Sequence, residues 1–137
     1  MVALTGVAAF NIRSTTIHSA LLIPISSNNL DLNGERLKKL QKKLEGVSYL
    51  IIDEKSMVGR RMLALIDMRL RQAFPQKQNQ VFGGLSVILV GDFGQLPPVR
   101  DEPMYSQISR RDPLSTDGIT VYRQFQEVYK LDIIQRQ

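Results

Sequence analysis

Two short segments of the chain are almost continuously apolar, and each ends at an acidic residue. They are "VSYLIID", residues 47–53, and "LSVILVGD", residues 85–92. Apolar runs of this length without polar alternation are typical of parallel strands that are covered on both faces. We therefore predict two buried parallel strands, with Asp53 and Asp92 at their carboxyl ends.

Helical periodicity replaces this pattern in the segments that precede each predicted strand. In "GERLKKLQKKLEG" the leucines recur at spacings of three and four and four lysines take the other face, with Asn33 as the predicted cap and Gly46 as the stop. In "SMVGRRMLALIDMRLRQAF" Ser56 is the predicted cap and Pro75 the end, and one helical face carries the apolar residues Val58, Met62, Leu65, Ile66 and Ala73. Two amphipathic helices are therefore expected.

The remaining segments carry weaker patterns. "MVALTGVAAF" reads as an apolar stub too short for a full strand, and residues 14–22 predict a short helix capped by a hydroxyl. "FGQLPPV" must leave the sheet because its two prolines have no N–H to donate. Residues 100–120 are predicted to be irregular surface chain, and "FQEVYKLDIIQRQ" to be a last strand near the edge of the sheet.

Strands that alternate with helices predict an α/β fold with an open, mostly parallel sheet, flanked by helices and built with right-handed crossovers. A length of 137 residues suits one such domain. Ligands of these sheets bind beyond the carboxyl ends of the strands. The side chains expected there are Asp53, Glu54, Asp92 and Gln95.

The amino-acid composition excludes or disfavours several kinds of chemistry for this protein. The chain is 43% hydrophobic and 23% charged, as in ordinary globular domains. It has no cysteine, which excludes disulfides, cysteine-bound zinc and thiol catalysis, and its single histidine, His18, disfavours a histidine metal site or a serine triad. The sequence shows neither a membrane-spanning run nor a secretory signal, so we expect an intracellular protein that does not contact a membrane. A net charge of +5 favours a polyanionic partner, either nucleic acid or nucleotide phosphate.

The adjacent acids Asp53 and Glu54 allow two interpretations. A carboxylate at a strand end can accept a hydrogen bond from a magnesium-bound water, and its neighbour can orient or deprotonate a water that attacks a phosphoryl group. Acids at this place can also simply end a strand and open a helix, whose dipole favours them. The pair alone leaves both interpretations open.

Several motifs, taken in their order and spacing, decide between them. The motifs are "TGVAAFNI", "TTIHSA", "LIIDEKSMVG", "LVGDFGQLPPV" and "KLDIIQRQ". Together they cover nearly the whole chain and resemble the PIF family of superfamily-one, RecD-like DNA helicases. The resemblance implies part of the first RecA-like domain of a P-loop NTPase, an ATP-dependent 5′–3′ DNA helicase activity, ATP and Mg²⁺ as cofactors, and single-stranded DNA and duplex junctions as partners. It also implies roles in DNA repair, recombination and telomere maintenance, in the nucleus or mitochondrion if the source is eukaryotic.

The resemblance assigns roles to four residues near ATP. Asp53 and Glu54 correspond to the Walker B pair, which makes Asp53 the implied Mg²⁺ ligand and Glu54 the implied general base. Gln95 resembles the family's sensor of the γ-phosphate, and its amide can donate to phosphate oxygen and accept from water. Arg136 resembles the arginine that reaches the γ-phosphate, a role that suits a planar guanidinium. The alternatives are a solvated loop glutamine and an arginine without such a role.

The resemblance also places the two N-terminal motifs along the path of single-stranded DNA. The hydroxyls of Thr5 and Thr16, the His18 ring and the amides near Gly6 are the implied contacts with phosphate or base. Thr16 can instead be only a cap, and His18 can be a core residue. The lysine-rich face of residues 38–43 is either a solvated helix surface or a source of non-specific attraction to DNA.

Two parts of the family motor do not occur in these 137 residues. One is the phosphate loop of the form G-x-x-x-x-G-K-[ST], and the other is the second RecA-like domain. We therefore interpret residues 1–137 as a partial N-terminal RecA-like domain that alone binds nucleotide poorly and hydrolyses almost none. The alternative is a non-catalytic DNA-binding or interaction remnant of a mobile-element helicase. A smaller departure is Lys55, where many relatives carry an apolar residue.

Overall fold

A computed structural model describes residues 1–3, 14–25, 32, 34–108 and 111–131. These residues contain a sheet of four strands, β1 (Val2–Ala3), β2 (Thr15–Thr16), β3 (Tyr49–Asp53) and β4 (Ser86–Leu89). The strand order is β2-β1-β3-β4, and every pairing is parallel. Among the predicted features, Thr5, Gly6, Asn33 and Arg136 lie outside the described residues.

The described residues form four α-helices and three single turns of 3-10 helix. The α-helices are α1 (Ile17–Ala20), α2 (Gly34–Lys43), α3 (Arg60–Ala73) and α4 (Pro113–Tyr122). The 3-10 turns are Lys55–Met57, Pro75–Lys77 and Val81–Gly84. No helix in this part of the chain is long and apolar enough to span a membrane.

The first strand lies inside the sheet, although the sequence indicated only a stub. Val2 pairs with Thr15 on one side and Ile52 on the other, and Ala3 pairs with Thr16 and Asp53. Two residues suffice here because the strands on both sides supply pairing partners. The segment predicted as a helix over residues 14–22 accordingly begins with β2 and contains one turn of helix.

Coverage of β3 and β4 is less complete than their apolar sequence suggested. Leu50 and Ile52 are buried, but Tyr49 is 65% exposed and Ile88 is 45% exposed. In β4 the residues alternate between exposed and half-buried positions. The prediction of strands covered on both faces is therefore wrong for the residues described, where only one face of the sheet is closely packed.

Helix α3 lies at the centre of the packed side and is buried around most of its circumference. Beyond the predicted apolar stripe, Leu63, Ala64 and Leu70 are also buried. The predicted end at Pro75 is confirmed, because α3 stops at Ala73 and a 3-10 turn starts at the proline. Residues on several sides of α3 thus contribute to one core together with α2 and α4.

The start of α3 is capped from a distant part of the chain, and the prediction that Ser56 is the cap is wrong. The N-cap position is Gly59, which has no side chain to accept a hydrogen bond. Asp101 takes this role: its carboxylate accepts from the backbone N–H of Arg61 at 3.1 Å and of Met62 at 3.2 Å. A side chain at position 59 would collide with the Asp101 carboxylate. Ser56 instead lies buried in the preceding 3-10 turn.

Arg60 fastens the same helix start to the chain that follows Asp101. Its backbone N–H donates to the Glu102 carbonyl at 2.9 Å, and its fully buried guanidinium donates to the carbonyls of Ser106 and Ile108. A buried cation needs acceptors of this kind because its desolvation is costly. The segment 101–108 is thereby held against the first turn of α3.

The prediction of irregular chain over residues 100–120 is wrong for its second half, which forms α4. Asp112 is the N-cap and accepts from Leu114 N–H at 3.2 Å, and Pro113 occupies the first helical turn. This Asp-Pro pair is a helix-start signal. The helix contains Gly118, where a side chain would collide with the Arg60 carbonyl, so tertiary packing explains a residue that lowers helix propensity.

No strand forms in the described part of the predicted C-terminal strand. Residues 125–131 are irregular, with Val128 and Leu131 each 91% exposed. Alternation of polar and apolar residues alone does not produce a strand when no partner strand pairs with it. The rest of that segment lies outside the described residues.

Candidate active site at the carboxyl ends of the strands

The sheet brings the ends of its strands into one row. Ala3 is in register with Thr16 on one side and with Asp53 on the other, and Val90 follows β4 beside Asp53. Thr16 and Asp53 are therefore two strand spacings apart, roughly 10 Å. The row places a hydroxyl of the predicted DNA motif and a carboxylate of the predicted ATP motif at the same edge of the sheet.

Glu54 is a one-residue bulge at the end of β3. Val90 N–H donates to the Ile52 carbonyl at 2.8 Å, so an uninterrupted parallel ladder would continue from Glu54 N–H to the Val90 carbonyl. Lys55 N–H makes that bond instead, at 2.9 Å, and Glu54 N–H donates to Asp53 Oδ1 at 2.8 Å. The backbone of Glu54 is left-handed, with φ 54° and ψ 50°. Bulges and strained residues of this kind are enriched beside functional sites because they redirect a side chain.

The chain that leaves β4 passes very close to this bulge. Gly91 has φ 134°, and a Cβ there would lie 3.0 Å from the Lys55 nitrogen and 3.4 Å from Glu54 Cα. A glycine satisfies both requirements, the backbone angle and the close approach. Gly91 was not among the predicted site residues, although a glycine directly after an apolar strand-like run is a signal of such an approach.

A tight turn then carries Gln95 to the surface. Asp92 Oδ1 accepts from Gly94 N–H at 2.8 Å, and the Asp92 carbonyl accepts from Gln95 N–H at 3.1 Å. Asp53 and Glu54 are half-buried, whereas Asp92 and Gln95 are exposed. The structure thus brings the two predicted ATP motifs together at neighbouring strand ends.

The donor atoms at this edge fit a magnesium ion that is shared with a phosphate ligand. They are oxygens of carboxylates and an amide, which suit a hard cation. No cluster of three or more acidic or histidine side chains among the residues described could hold a metal ion on its own. Mg²⁺ commonly takes one or two carboxylates and completes its shell with water and substrate phosphate, which matches this set.

At the other side of the row, Thr16 is the N-cap of α1 and His18 lies within that helix. Thr16 Oγ1 accepts from Ser19 N–H at 3.2 Å, so the capping interpretation of this residue is confirmed. His18 is half-buried, and desolvation lowers the pKa of its imidazole from 6.5. The ring is therefore neutral at physiological pH, able to donate and accept one hydrogen bond each. Lys43 Nζ donates to the Ser19 carbonyl at 2.8 Å and joins α2 to this turn.

Comparison with known proteins identifies relatives along most of the chain. The family model described as PIF1-like helicase matches residues 1–129. The ATP-dependent DNA helicase PIF1 of Saccharomyces cerevisiae is 37% identical over 102 residues, which are 72% of this chain and 12% of the yeast protein. The ATP-dependent DNA helicase Pif1 of Bdellovibrio bacteriovorus is 33% identical over 131 residues, 93% of this chain and 28% of that protein.

A solved relative has the same fold. The crystal structure of the Pif1 helicase from Bacteroides in complex with ADP-AlF3 and single-stranded DNA is 37% identical, with a TM-score of 0.62 over 73% of this chain and 23% of the relative. The predicted α/β, RecA-like architecture is confirmed. In each comparison this chain spans less than a third of the relative's length. The chain belongs to the PIF1-like helicase family.

Proposed function

We propose that these residues form the Walker B and γ-phosphate-sensing part of the ATP site in a helicase that couples ATP hydrolysis to unwinding of DNA in the 5′–3′ direction. The observation that carries the proposal is the Glu54 bulge, whose backbone N–H donates to the Asp53 carboxylate and whose Cα lies against Gly91, at the start of the loop that bears Gln95. The relatives are named ATP-dependent DNA helicases, and one was solved with ADP-AlF3 and single-stranded DNA. ATP, single-stranded DNA and duplex junctions are the partners proposed for this chain.

Asp53 is the proposed magnesium ligand. The hydrogen bond from Glu54 N–H to Oδ1 fixes the carboxylate at the end of β3, so it needs no reorientation when the metal-nucleotide complex binds. Mg²⁺, when bound, neutralises charge on the β- and γ-phosphates. Asp53 therefore acts by holding position and charge rather than by moving a proton.

Glu54 is the proposed general base. Its carboxylate accepts a proton from the water that attacks the γ-phosphorus, while the bond between that phosphorus and the bridging oxygen of ADP breaks. Gln95 accepts from the same water and donates its amide N–H to a γ-phosphate oxygen. Arg136 is proposed to add a guanidinium that stabilises the charge spread over the γ-phosphate oxygens. Gln95 and Arg136 thus stabilise the negative charge on the γ-phosphate oxygens, which the carboxylate of Glu54 cannot do.

The DNA track is proposed to pass the other end of the row, at Thr16 and His18. Thr5 and Gly6, which lie outside the described residues, are proposed to contact the DNA as well. Capping does not remove Thr16 from this role, because its oxygen accepts from Ser19 N–H while its own hydroxyl proton remains available for a phosphate. A neutral His18 contacts phosphate or base by a hydrogen bond rather than by charge. Sequence-independent binding is expected from such contacts.

The exposed lysines of α2 are proposed to add electrostatic attraction to DNA. Lys38, Lys39 and Lys42 are exposed, and none of them forms an ion pair with a residue in the described part of the chain. We expect the variant with all three changed to glutamine to flatten the dependence of log K on log salt by about 0.7 to 0.9 for each lysine that contacts a phosphate. A DNA-binding titration at several salt concentrations measures the slope.

The matched control for the lysine variant changes Lys77, Arg111 and Arg123 to glutamine, which removes the same charge from exposed positions elsewhere. Its slope is expected to stay closer to that of the parent protein. Equal slopes for both variants would mean that the α2 lysines act only through net charge and that their face is a solvated surface.

The experiment that tests the helicase proposal is strand displacement by the full-length gene product on duplexes with a 5′ tail, a 3′ tail or no tail. We expect ATP-dependent displacement of the 5′-tailed duplex alone. Displacement of the 3′-tailed duplex would contradict the polarity. Binding of single-stranded DNA without ATP-dependent displacement of any duplex would instead identify a non-catalytic DNA-binding remnant.

The 137 residues on their own are expected to hydrolyse almost no ATP, with or without single-stranded DNA. The reason is that they contain no G-x-x-x-x-G-K-[ST] loop to cradle the phosphates. A coupled ATPase assay of this chain, run beside the full-length gene product, measures the difference. Turnover comparable to that of a complete motor would refute the expectation.

Because the chain belongs to the PIF1-like helicase family, we propose that the protein acts in DNA repair, recombination or telomere maintenance, in the nucleus or mitochondrion if its source is eukaryotic.

A further inference from the structure

Lys55 directly follows Asp53 and Glu54 and lies beside the loop of residues 91–95. The proposed mechanism of ATP hydrolysis gives this lysine no role. We propose that Lys55 is a positioning residue: its ammonium binds the face of the Phe93 ring and thereby holds the loop of residues 91–95 against the Glu54 bulge, with Gln95 in place. This inference rests on the proposed function of Gln95 and adds a residue to that site.

The backbone already brings Lys55 to this loop. Its N–H donates to the Val90 carbonyl at 2.9 Å, one residue before the loop begins, and its nitrogen is the atom nearest to a Cβ built on Gly91. The side chain then extends along the loop until Nζ lies 4.6 Å from the centroid of the Phe93 ring. That distance is within the range of a cation–π interaction.

The Phe93 ring is fixed on its other sides by two tyrosines. Tyr105 meets it edge to face with 5.0 Å between centroids, and Tyr122 of α4 does so at 6.3 Å. The ring therefore has a defined orientation that presents a face to the ammonium. Among the described residues no carboxylate forms an ion pair with Lys55, so the aromatic face is the partner that the structure shows.

The loop needs such an anchor because little else of it is buried. Asp92, Gly94, Gln95 and Leu96 are all exposed, and Phe93 is the half-buried residue between them. The hydrogen bonds of the Asp92 turn are internal to the loop and do not attach it to the sheet. Contact through Phe93 therefore sets where Gln95, two residues later, is held relative to the Glu54 bulge.

The test compares Lys55→Met and Lys55→Arg in the full-length gene product. Methionine keeps the length of the stem without the charge, whereas arginine keeps the cation and its affinity for aromatic faces. We expect kcat for DNA-stimulated ATP hydrolysis to fall about three- to tenfold in Lys55→Met with KM for ATP unchanged, and to stay within about twofold in Lys55→Arg. Lys77→Met removes the same charge from an exposed 3-10 turn and serves as the control.

Double variants test whether Lys55 affects hydrolysis through Phe93 and Gln95. Phe93→Leu is expected to lower kcat by a similar factor, with no further loss when Lys55→Met is added. In a Gln95→Ala background, Lys55→Met is expected to change nothing. An increase in KM at constant kcat in Lys55→Met would instead mean that the lysine contacts the ATP phosphates directly, which would overturn the proposal.

The proposed role of Gln95 and the proposed role of Lys55 can be refuted separately. If Gln95→Ala leaves hydrolysis intact, the proposed role of Gln95 is wrong. If Gln95→Ala abolishes hydrolysis while Lys55→Met turns over like the parent protein, the role of Gln95 stands and the positioning role of Lys55 is wrong.

Discussion

Glu54→Gln is expected to lower the rate of ATP hydrolysis about 10²- to 10⁴-fold in the full-length gene product, the range that loss of a general base produces. Glutamine has nearly the same size and can hold a water in place, but it cannot take the proton. ATP binding is expected to persist because Asp53 and the loop around Gly91 are unchanged. Single-turnover hydrolysis and a nucleotide-binding titration separate the two effects.

Two further variants make this experiment specific. Glu45→Gln removes the same charge from an exposed turn and is expected to keep full activity. Glu54→Gly removes the carboxylate and also relieves the left-handed backbone, so it should lose hydrolysis while gaining about 1 kcal/mol of stability. Hydrolysis near the parent rate in Glu54→Gln would show that another group activates the water.

Gly91→Ala is the substitution for which we expect the largest structural effect at the site. A residue other than glycine at φ 134° is strained, and its Cβ would press on the Lys55 nitrogen at 3.0 Å. We expect a loss of about 1–3 kcal/mol in the free energy of unfolding. Displacement of the Glu54 bulge should lower kcat about tenfold or more, because small misplacements of reacting groups are costly. Urea unfolding and ATPase kinetics measure the two quantities.

Gly46→Ala provides the comparison for Gly91→Ala. Gly46 also has a positive φ, 78°, but nothing lies within 4 Å of the position of its Cβ. Its replacement should cost about 1 kcal/mol of stability through the backbone alone and leave kcat unchanged. If both variants lost the same stability and kept the same kcat, the close approach of Gly91 to the Glu54 bulge would have no consequence for hydrolysis.

Local patterns in the sequence were sufficient for the elements whose residues carry their own signals. The leucine spacing of α2 and the apolar runs of β3 and β4 predicted those elements, and the parallel sheet followed from them. Placing Asp53 and Asp92 at neighbouring strand ends needed only the rule that parallel strands end at one edge. The family motifs then supplied a chemistry for that edge.

Features that depend on distant partners could not be predicted in this way. No local pattern indicates that Asp101 caps α3, because the acceptor lies 40 and 39 residues from its two donors. The left-handed backbone of Glu54 arises because the Val90 carbonyl accepts from Lys55 N–H rather than from Glu54 N–H. This hydrogen bond joins residues that are distant in the sequence. Helix α4 did carry its own signal, the Asp-Pro pair, but it also contains Gly118, whose packing against the Arg60 carbonyl is a tertiary contact.

The burial of Arg60 sets a lower limit on the length of chain that can fold around the candidate site. All strands of the described sheet end by Leu89, so a fragment that stopped soon after Gln95 would contain every described side chain assigned to ATP. Such a fragment would nevertheless leave the Arg60 guanidinium buried without the carbonyls of Ser106 and Ile108. The smallest autonomous unit therefore extends at least to Ile108, and limited proteolysis of the folded protein should spare the backbone between Asp101 and that residue.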